Sequence, residues 1–581
     1  MNLFADIKTL VLDTLTTMAG EGLLPRDLDT RNVAVEPPRD AAHGDMATNA
    51  AMVLAKPAGM KPRDIAAPLA ERLGRDPRIT AAEVAGPGFI NLRIAPSAWH
   101  AVLKAVIAEG PDFGRVDVGQ GRRVNVEFVS ANPTGPLHVG HTRGAVFGDA
   151  LARLLDFAGW DVTREYYIND GGAQVDVLAR SVYLRYREAN GEAVDIPEGL
   201  YPGDYLVAIG EALSEEYGDR FMEVEESDWL SLFRDFAIEA IMEQIRGDLA
   251  ALDVTMDVFF SERSLYDTGQ IEASLHDLDA KGLIYEGVLE PPKGKKPEDW
   301  EPRPQTLFKS SLHGDDTDRP IRKADGAWTY FAPDIAYHKD KIDRGYDLLI
   351  DVLGADHGGY VRRMTAAVAA LSDGQTGFRA PLIQLVKLFK DGEPFKMSKR
   401  AGTFVTLRDV LDEVGPDVTR FVMLTRRNDA PLDFDFTAAL EQSRENPVWY
   451  VQYAHARCMS VEAKARDAGF TYETQLSVED SVSRLTDPAE IALLAKIASF
   501  LRTVESASLT QEPHRVAFFI YELAADFHAF WNRGHDDPTL RVVSGGNAAQ
   551  TWARLWLVRG VATVIRNGLG ILGVKPLDEM K

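Results

Sequence analysis

The chain is poor in cysteine, in long apolar runs and in positive charge. Its 581 residues include one cysteine, Cys458, which excludes an internal disulfide and any zinc site built on several thiolates. No uninterrupted apolar stretch approaches the roughly 18 residues that a bilayer-spanning helix needs. The opening "MNLFADIKTLVLDTLTTMAG" reads as an amphipathic helix with acidic residues and no small-residue cleavage site, unlike a secretory signal. A cytoplasmic address without a membrane partner is expected. Lys and Arg number 64 against 88 Asp and Glu, for a net charge of −24. That balance argues against non-specific binding to nucleic acid or membranes, which needs a positive field. A polyanionic partner would have to be held by local basic patches. There is no repeat or low-complexity tract, and 45% hydrophobic with 26% charged residues fits a globular chain of several domains.

What is present falls into blocks. Residues 1–112 alternate helical runs with loops and reach "VAGPGFINLRIAPSAWHAVLKAV", a Gly-Pro turn, an alternating strand and a helix. A small N-terminal α/β domain is expected there. From Arg123 the pattern becomes strand–turn–helix: strand "RVNVEFVS", helix "HTRGAVFGDALARLLDFAG", strand "DVTREYYIND", helix "AQVDVLARSVYLRYREAN". This predicts a Rossmann-type, doubly wound parallel-sheet domain over 121–385. A polar, largely helical stretch at about 185–300 reads as an insertion, after which "DLLIDVLGAD", "YVRRMTAAVAALS" and "PLIQLVKLF" resume the rhythm. Residues 386–435 form a loop and connecting region. Over 436–581, amphipathic helices joined by polar turns predict an α-helical bundle.

Two short motifs carry the chemistry. "ANPTGPLHVGH" lies between the first strand and its helix, where a doubly wound fold places phosphate. The turn leaves backbone N–H groups and the positive helix end facing the cleft. His138 and His141 share one helix face and are potential donors to phosphate, while Gly140 lets a ligand approach the backbone. Alone, the pair also reads as structural histidines, or as a zinc fragment without an evident third ligand. "LFKDGEPFKMSKRAG" crowds Lys396, Lys399 and Arg400 around Met397 and Ser398. Like charges on one short loop repel unless they are solvated or face an anion. The second motif follows another predicted strand, and together the two motifs point to one phosphate site.

"HVGH" with "KMSK" resembles the signature pair of class I aminoacyl-tRNA synthetases. "VEFVSANPTGPLHVGHTRGA", "YYINDGGAQ", "YFAPDIAYH", "NPVWYVQYAHAR", "HGDMATNAAMVLAK" and "GPGFINLRI" are similar to arginyl-tRNA synthetases in particular, from about residue 40 to the C-terminus. The resemblance implies an ATP-dependent ligase that converts L-arginine to arginyl-adenylate and transfers it to the 3′ end of tRNA(Arg). It implies Mg²⁺ accompanying ATP, no tightly bound metal or organic cofactor, a requirement for bound tRNA in the activation step, and a monomer. His138, His141, Lys396 and Lys399 would be catalytic, stabilising the phosphates. Pro136, Leu137, Gly140, His141, Met397 and Ser398 would surround ATP, with Asp356 and His357 of "GADHGG" near adenine and ribose. Glu127, Ser130, Asn132, His138, Tyr330 and Asp334 would bind arginine.

The residues themselves support part of this. A guanidinium demands carboxylates in fork geometry. Glu127 stands near the end of a strand, and Tyr330 and Asp334 share a face if a helix begins there. Asp334 also fits a helix cap. Trp449, Tyr450 and Tyr453 would stack unpaired anticodon bases, or else form a core-facing aromatic stripe. The N-terminal domain would reach the tRNA elbow. The rivals are a class I synthetase of other specificity, a small-molecule nucleotidyltransferase and an inactive tRNA-binding paralogue. The carboxylates, the helical bundle and the two unbroken signatures argue against them in turn.

Overall fold

The computed structural model describes residues 2–38, 40–289, 304–323, 326–395, 404–471, 475–544 and 547–580. At its centre lies a parallel sheet of β1 (Arg123–Glu127), β2 (Asp161–Ile168), β3 (Val258–Ser261), β4 (Leu348–Asp351) and β5 (Gly377–Arg379), in the order β5-β4-β1-β2-β3. α1 (Val139–Phe157) and α2 (Gln174–Ala189) follow β1 and β2, α3 (Phe331–Asp343) leads into β4, and α4 (Gly358–Leu371) follows it. β1 is central, and its Val124, Asn125, Val126 and Glu127 are all buried, as a parallel strand covered on both faces requires. Gly148 brings α1 against the sheet, because a Cβ there would run into the Phe128 ring. The strand order reverses between β1 and β4, which opens a crevice at their carboxyl ends.

A buried charge network closes the floor of that crevice. Lys341, wholly buried on α3, donates to Glu127 Oε2 at 2.6 Å and to Asp351 Oδ1 at 3.1 Å. Burial opposes the charge on Lys341, but the two carboxylates outweigh it and raise its ammonium pKa. Burial likewise opposes ionisation of Asp351, and Lys341 with His338 overcomes it, holding that carboxyl below the usual range. His338 Nε2 lies 2.8 Å from Asp351 Oδ2. Alongside, Glu165 accepts a two-pronged bond from Arg344 (2.7 and 2.8 Å), the Tyr337 hydroxyl at 2.9 Å and Asn125 Nδ2 at 2.6 Å. α3 is thereby tied to β1, β2 and β4 at once.

The N-terminal unit is a four-stranded antiparallel sheet, Val35–Glu36, Met46–Thr48, Phe89–Ile94 and Ile79–Ala85 in spatial order, with helices that include Leu3–Gly20 and Pro62–Leu73. Its last helix, Pro96–Glu109, packs on the C-terminal bundle of α5 (Pro447–Asp467), α6 (Pro488–Thr510), α7 (His514–Asp536) and α8 (Ala548–Leu572). His100 Nε2 bonds the Leu485 carbonyl at 2.8 Å, and Asn567 Nδ2 reaches the carbonyls of Gly110 and Phe113. Arg420, buried on the helix Pro416–Met423, donates to the carbonyls of Leu252 (3.0 Å) and Leu572 (2.9 Å) and pairs with Asp149 of α1. It pins the catalytic core, the insertion and the bundle to one point.

Several expectations need correction. The stretch at 185–300 is not one helical interruption. Val258–Ser261 rejoins the core sheet, and an antiparallel sheet of Ile284–Gly287, Gln305–Phe308 and Arg319–Pro320 extends past residue 300. A four-residue strand is too short to show a period. "PLIQLVKLF" does not continue the core either. The edge strand is Gly377–Arg379, and Val386–Lys390 pairs with Leu432–Asp435 in a separate sheet. The α1 helix starts at Val139, two residues before the expected start. α8 is long and apolar enough to span a bilayer by length and composition, but most of its apolar window is buried against its neighbours, as for a core helix.

Replacing Lys341 with Met should lower stability by about 3–5 kcal/mol, because two buried carboxylates lose their counter-ion. Urea titration should show an earlier unfolding transition. A variant as stable as the parent would mean that the network contributes nothing.

Candidate active site

At the carboxyl end of β1 the chain adopts an unusual backbone: Val129 and Ser130 have φ of +69° and +39°. A β-branched residue in the left-handed region is strained, and strain of this kind persists only where the surroundings enforce it. Here they do. Ser130 Oγ donates to Glu127 Oε1 at 2.9 Å and accepts the Tyr167 N–H at 3.1 Å, while the Tyr166 hydroxyl donates to the Ala131 carbonyl at 2.9 Å. The kink delivers Asn132, exposed, to a cleft of about 330 Å³. Thr134, Gly135, Pro136, His138 and His141 form one side of it, with Phe404 and the insertion residues Tyr201, Pro202, Gly203 and Tyr205 completing the lining.

The two histidines cap their own helix. His138 Nδ1 accepts the Gly140 N–H at 3.0 Å, and His141 Nδ1 accepts the His138 N–H at 3.3 Å. The rings stack with centroids 3.8 Å apart. An Nδ1 that accepts a backbone N–H carries no proton, so each neutral imidazole holds its hydrogen on Nε2. The pair thus presents Nε2–H donors beside the N-terminus of α1. Leu137 is wholly buried and offers the cleft no side chain; its carbonyl accepts the Leu407 N–H at 2.8 Å. Val405 O accepts the Val139 N–H at 3.2 Å, and Phe404 stands edge-on to His138 with centroids 6.2 Å apart. The chain leaving the Lys/Arg-rich loop is therefore bonded to the histidine segment. Lys396, Met397, Ser398 and Lys399 lie outside the described residues.

The carboxylates divide into two sets. Glu127 is turned toward Ser130 and Lys341, so both of its oxygens have partners within the protein. Asp334 differs. It lies on the first turn of α3, accepts a hydrogen bond from the Tyr360 hydroxyl, and has no Lys or Arg partner among the described residues. Burial is the main cause that pushes its pKa up to about 7, with Tyr360 and His338 opposing and Glu262 and Glu127 adding to it. Glu262 immediately follows β3 and is buried, bonded only to hydroxyls among the described residues: Tyr266 at 3.3 Å and Tyr167. Burial raises its pKa as well. Tyr330, four residues before Asp334, is 86% exposed at the mouth. Asp334, half-buried, and Glu262, buried, are thus two neighbouring carboxylates held by tyrosine hydroxyls, with no Lys or Arg partner among the described residues.

Asn132, Pro136, His138 and His141 thus share one cleft, and Tyr330 and Asp334 one helical turn. Asp356 and His357 are not among the residues that line the histidine cleft; they stand on the turn after β4, exposed and 3.7 Å from each other. Glu262, Tyr201, Tyr205 and Lys341 were not singled out in the sequence. None had a signal in the sequence, since the strand before Glu262 has four residues and shows no period. In the bundle, Trp449 stacks on Tyr453 (4.7 Å), while Tyr450 packs against Tyr521 and His528. Among the described residues, no group of three His, Cys, Asp or Glu is arranged to hold a metal ion.

Comparison with known proteins adds to this geometry. Residues 5–94 match the family model "Arginyl tRNA synthetase N terminal domain", 103–432 match "tRNA synthetases class I (R), catalytic domain", and 451–580 match "DALR anticodon binding domain". The chain is 65% identical over 581 residues to the arginine–tRNA ligase of Paracoccus denitrificans and 66% identical to that of Roseobacter denitrificans, with 100% of each chain covered. Among solved structures, it is similar to a putative arginyl-tRNA synthetase of Campylobacter jejuni (TM-score 0.72, 33% identity, 84% of this chain and 100% of that one). The Thermus thermophilus arginyl-tRNA synthetase shares the fold (TM-score 0.74, 20% identity, 100% of both chains).

The Asp334 pKa, raised from 3.8 to about 7, fixes the sign of a stability effect. Between those values the folded state binds the proton and the unfolded state has released it, so this group lowers stability progressively as pH rises. Asp334→Asn should therefore raise the melting temperature, most above pH 7 and least near pH 4. A variant less stable at pH 8 would contradict an uncompensated buried charge.

Proposed function

The chain belongs to the arginyl-tRNA synthetases, class I enzymes that ligate arginine to tRNA with ATP, and we propose that its guanidinium receptor is the Asp334–Glu262 pair. The observation that carries this is the state of those two carboxylates, desolvated and without a cation, which an arginine side chain would complete. Tyr330 would contribute its hydroxyl at the mouth, and Asn132 would hold the α-amino or carboxylate end. Glu127 and Ser130 would act from below by fixing the kink that presents Asn132.

Arginine held this way directs its carboxylate toward the histidine cleft. A carboxylate oxygen attacks the α-phosphorus of ATP, pyrophosphate leaves, and arginyl-adenylate forms. A ribose hydroxyl at the tRNA 3′ end then attacks the acyl carbon and releases AMP. Such transfers need positioning and charge neutralisation more than a protein nucleophile. The Nε2–H groups of His138 and His141, the amide of Gly140 and the α1 N-terminus would face the phosphates, with Pro136 and the Leu137 backbone beside them. Lys396 and Lys399 would neutralise the β- and γ-phosphates, flanked by Met397 and Ser398, and Asp356 with His357 would border the adenosine. Mg²⁺ would enter on ATP, held chiefly by phosphate oxygens as its octahedral preference favours.

In the same reading, Trp449, Tyr450 and Tyr453 meet tRNA(Arg) and residues 1–112 approach its elbow. Residues 121–385, 386–435 and 436–581 make up the catalytic, signature-loop and anticodon units. The enzyme acts as a cytoplasmic monomer.

ATP–pyrophosphate exchange with tRNA present tests the receptor. Glu262→Gln and Asp334→Asn should each raise the KM for arginine about 30-fold or more, the cost of removing one member of a buried charge pair. The KM for ATP should stay near the parent value. Unchanged arginine KM values in both variants would sink the assignment.

A further inference from the structure

We propose that Tyr205, on the strap 201–206 of the insertion, is a positioning residue for adenylate formation: its hydroxyl holds in place the turn 133–136, between Asn132 and His138. The inference rests on the reading that the histidine cleft takes ATP, and adds to it a residue outside both signature motifs. The Tyr205 hydroxyl donates to the Thr134 carbonyl at 2.7 Å, across 71 residues of chain. Burial pushes its pKa up to about 12, so the group stays protonated and donates throughout the neutral range. The turn needs an outside tie. Pro133 and Pro136 have no backbone N–H, and the Thr134 N–H is taken by the Asn132 carbonyl at 2.7 Å. Asn132 and His138 flank this turn, and they would meet the α-end of arginine and the phosphates. A bond to the carbonyl between them therefore acts on how the two reactants are aligned.

The strap is built to keep that hydroxyl still. The Tyr201 N–H donates to Ser181 Oγ at 2.9 Å, and Arg185 Nη2 donates to the Pro202 carbonyl at 3.0 Å, both from α2. Leu206 is wholly buried next to Tyr205 in the chain. Two glycines make room for the ring. A Cβ on Gly203 would lie 2.2 Å from Tyr205 Cε1, and one on Gly135 would lie 3.1 Å from the hydroxyl oxygen. Gly203 has a φ of −63°, open to any residue, so space and not backbone freedom favours glycine there. α2 follows β2 of the central sheet, and the tie runs from the sheet through α2 and the strap to the turn. The Tyr205 ring lines the cleft, but its one polar atom is directed at the backbone of the turn. That geometry makes it a residue that acts through its neighbours.

The test is ATP–pyrophosphate exchange by the full-length enzyme with tRNA present, with rates expressed per titrated active site. Tyr205→Phe keeps the ring and removes the hydrogen bond. kcat should fall about 5- to 10-fold, in line with the loss of one neutral hydrogen bond. The KM for arginine, the fraction of active sites and the melting temperature should stay at the parent values. Ser181→Ala frees the strap from α2 with Tyr205 intact, and should lower kcat in the same sense. Because both changes act through one tie, the double variant should be no slower than Tyr205→Phe alone. If Ser181→Ala fails to fold, Tyr205→Phe decides alone. A parent kcat in Tyr205→Phe overturns the proposal. So does a loss confined to the active fraction or the melting temperature, which a merely structural role would give, or one confined to the KM for tRNA. Losses that multiply in the double variant overturn it as well. His138→Gln and His141→Gln separate the two readings. If they abolish exchange and Tyr205→Phe does not slow it, only this inference falls. If they exchange at the parent rate, the ATP-site reading falls with it.

Discussion

The crevice depends on one ammonium group shut away from water. Adjacent parallel strands β1 and β4 end in Glu127 and Asp351, side by side in register. Two such carboxylates under a protein roof would repel or take up protons. Lys341 lies between them, so the strand order can reverse there without the acidic ends separating. The same bond fixes α3. Asp334 is seven residues, roughly 10 Å, toward the N-terminus of that helix from Lys341. Anchoring Lys341 against two strands sets the height and rotation of the helical turn that carries Asp334 and Tyr330. Burying such a charge is costly, and what it provides here is a rigid reference for the helical turn above it.

Below the crevice, Glu127, Asp351 and Glu165 are saturated with cations and hydroxyls. Above it, Asp334 and Glu262 accept hydrogen bonds from tyrosines and have no Lys or Arg partner among the described residues. Were the upper pair already ion-paired, a guanidinium would have to displace a partner. Left open, it makes the unliganded fold less stable at neutral pH, a free energy that the proposed guanidinium would recover on binding, the usual trade of stability against function at a site. The histidines show the same division of labour. Each Nδ1 is committed to the helix's own backbone, which fixes the rings.

The sequence exposes this arrangement unevenly. The His-x-Gly-His turn was legible because its Gly/Pro context and the strand before it are local features. The central strand was legible for the same reason, its β-branched and aromatic residues alternating through one short run. β3 and β5 were not, since runs of four and three residues carry no period to detect. Glu127 was readable as a carboxylate at a strand end, but its partner Lys341 lies 214 residues away, and a lysine on a helix ordinarily reads as solvated. Glu262 and Tyr201 fell within a stretch read as helical insertion. There, only the tertiary fold reveals that the chain returns to the sheet edge and to the cleft wall.

The acidic surface follows from the same interior. Arg344 meets Glu165, Arg420 meets Asp149, and Lys341 serves two carboxylates, so buried pairs remove about as many negative as positive charges. Arg143 goes further. It is buried, bonded to the carbonyls of Gln384, Arg427 and Ala430, and its charge is lost to the surface. The exterior is therefore left strongly negative, and an anionic substrate gains nothing from the general field. Contacts with phosphate must come from built sites. In the proposed reading the histidine cleft is one, and its imidazole and backbone N–H donors at a helix N-terminus carry no formal charge. Donors of that kind do not depend on the protein's net charge, and salt screens them less than exposed lysines. In that reading an acidic protein holds a triphosphate there while its overall field still discourages nucleic acid that lacks the matching local contacts.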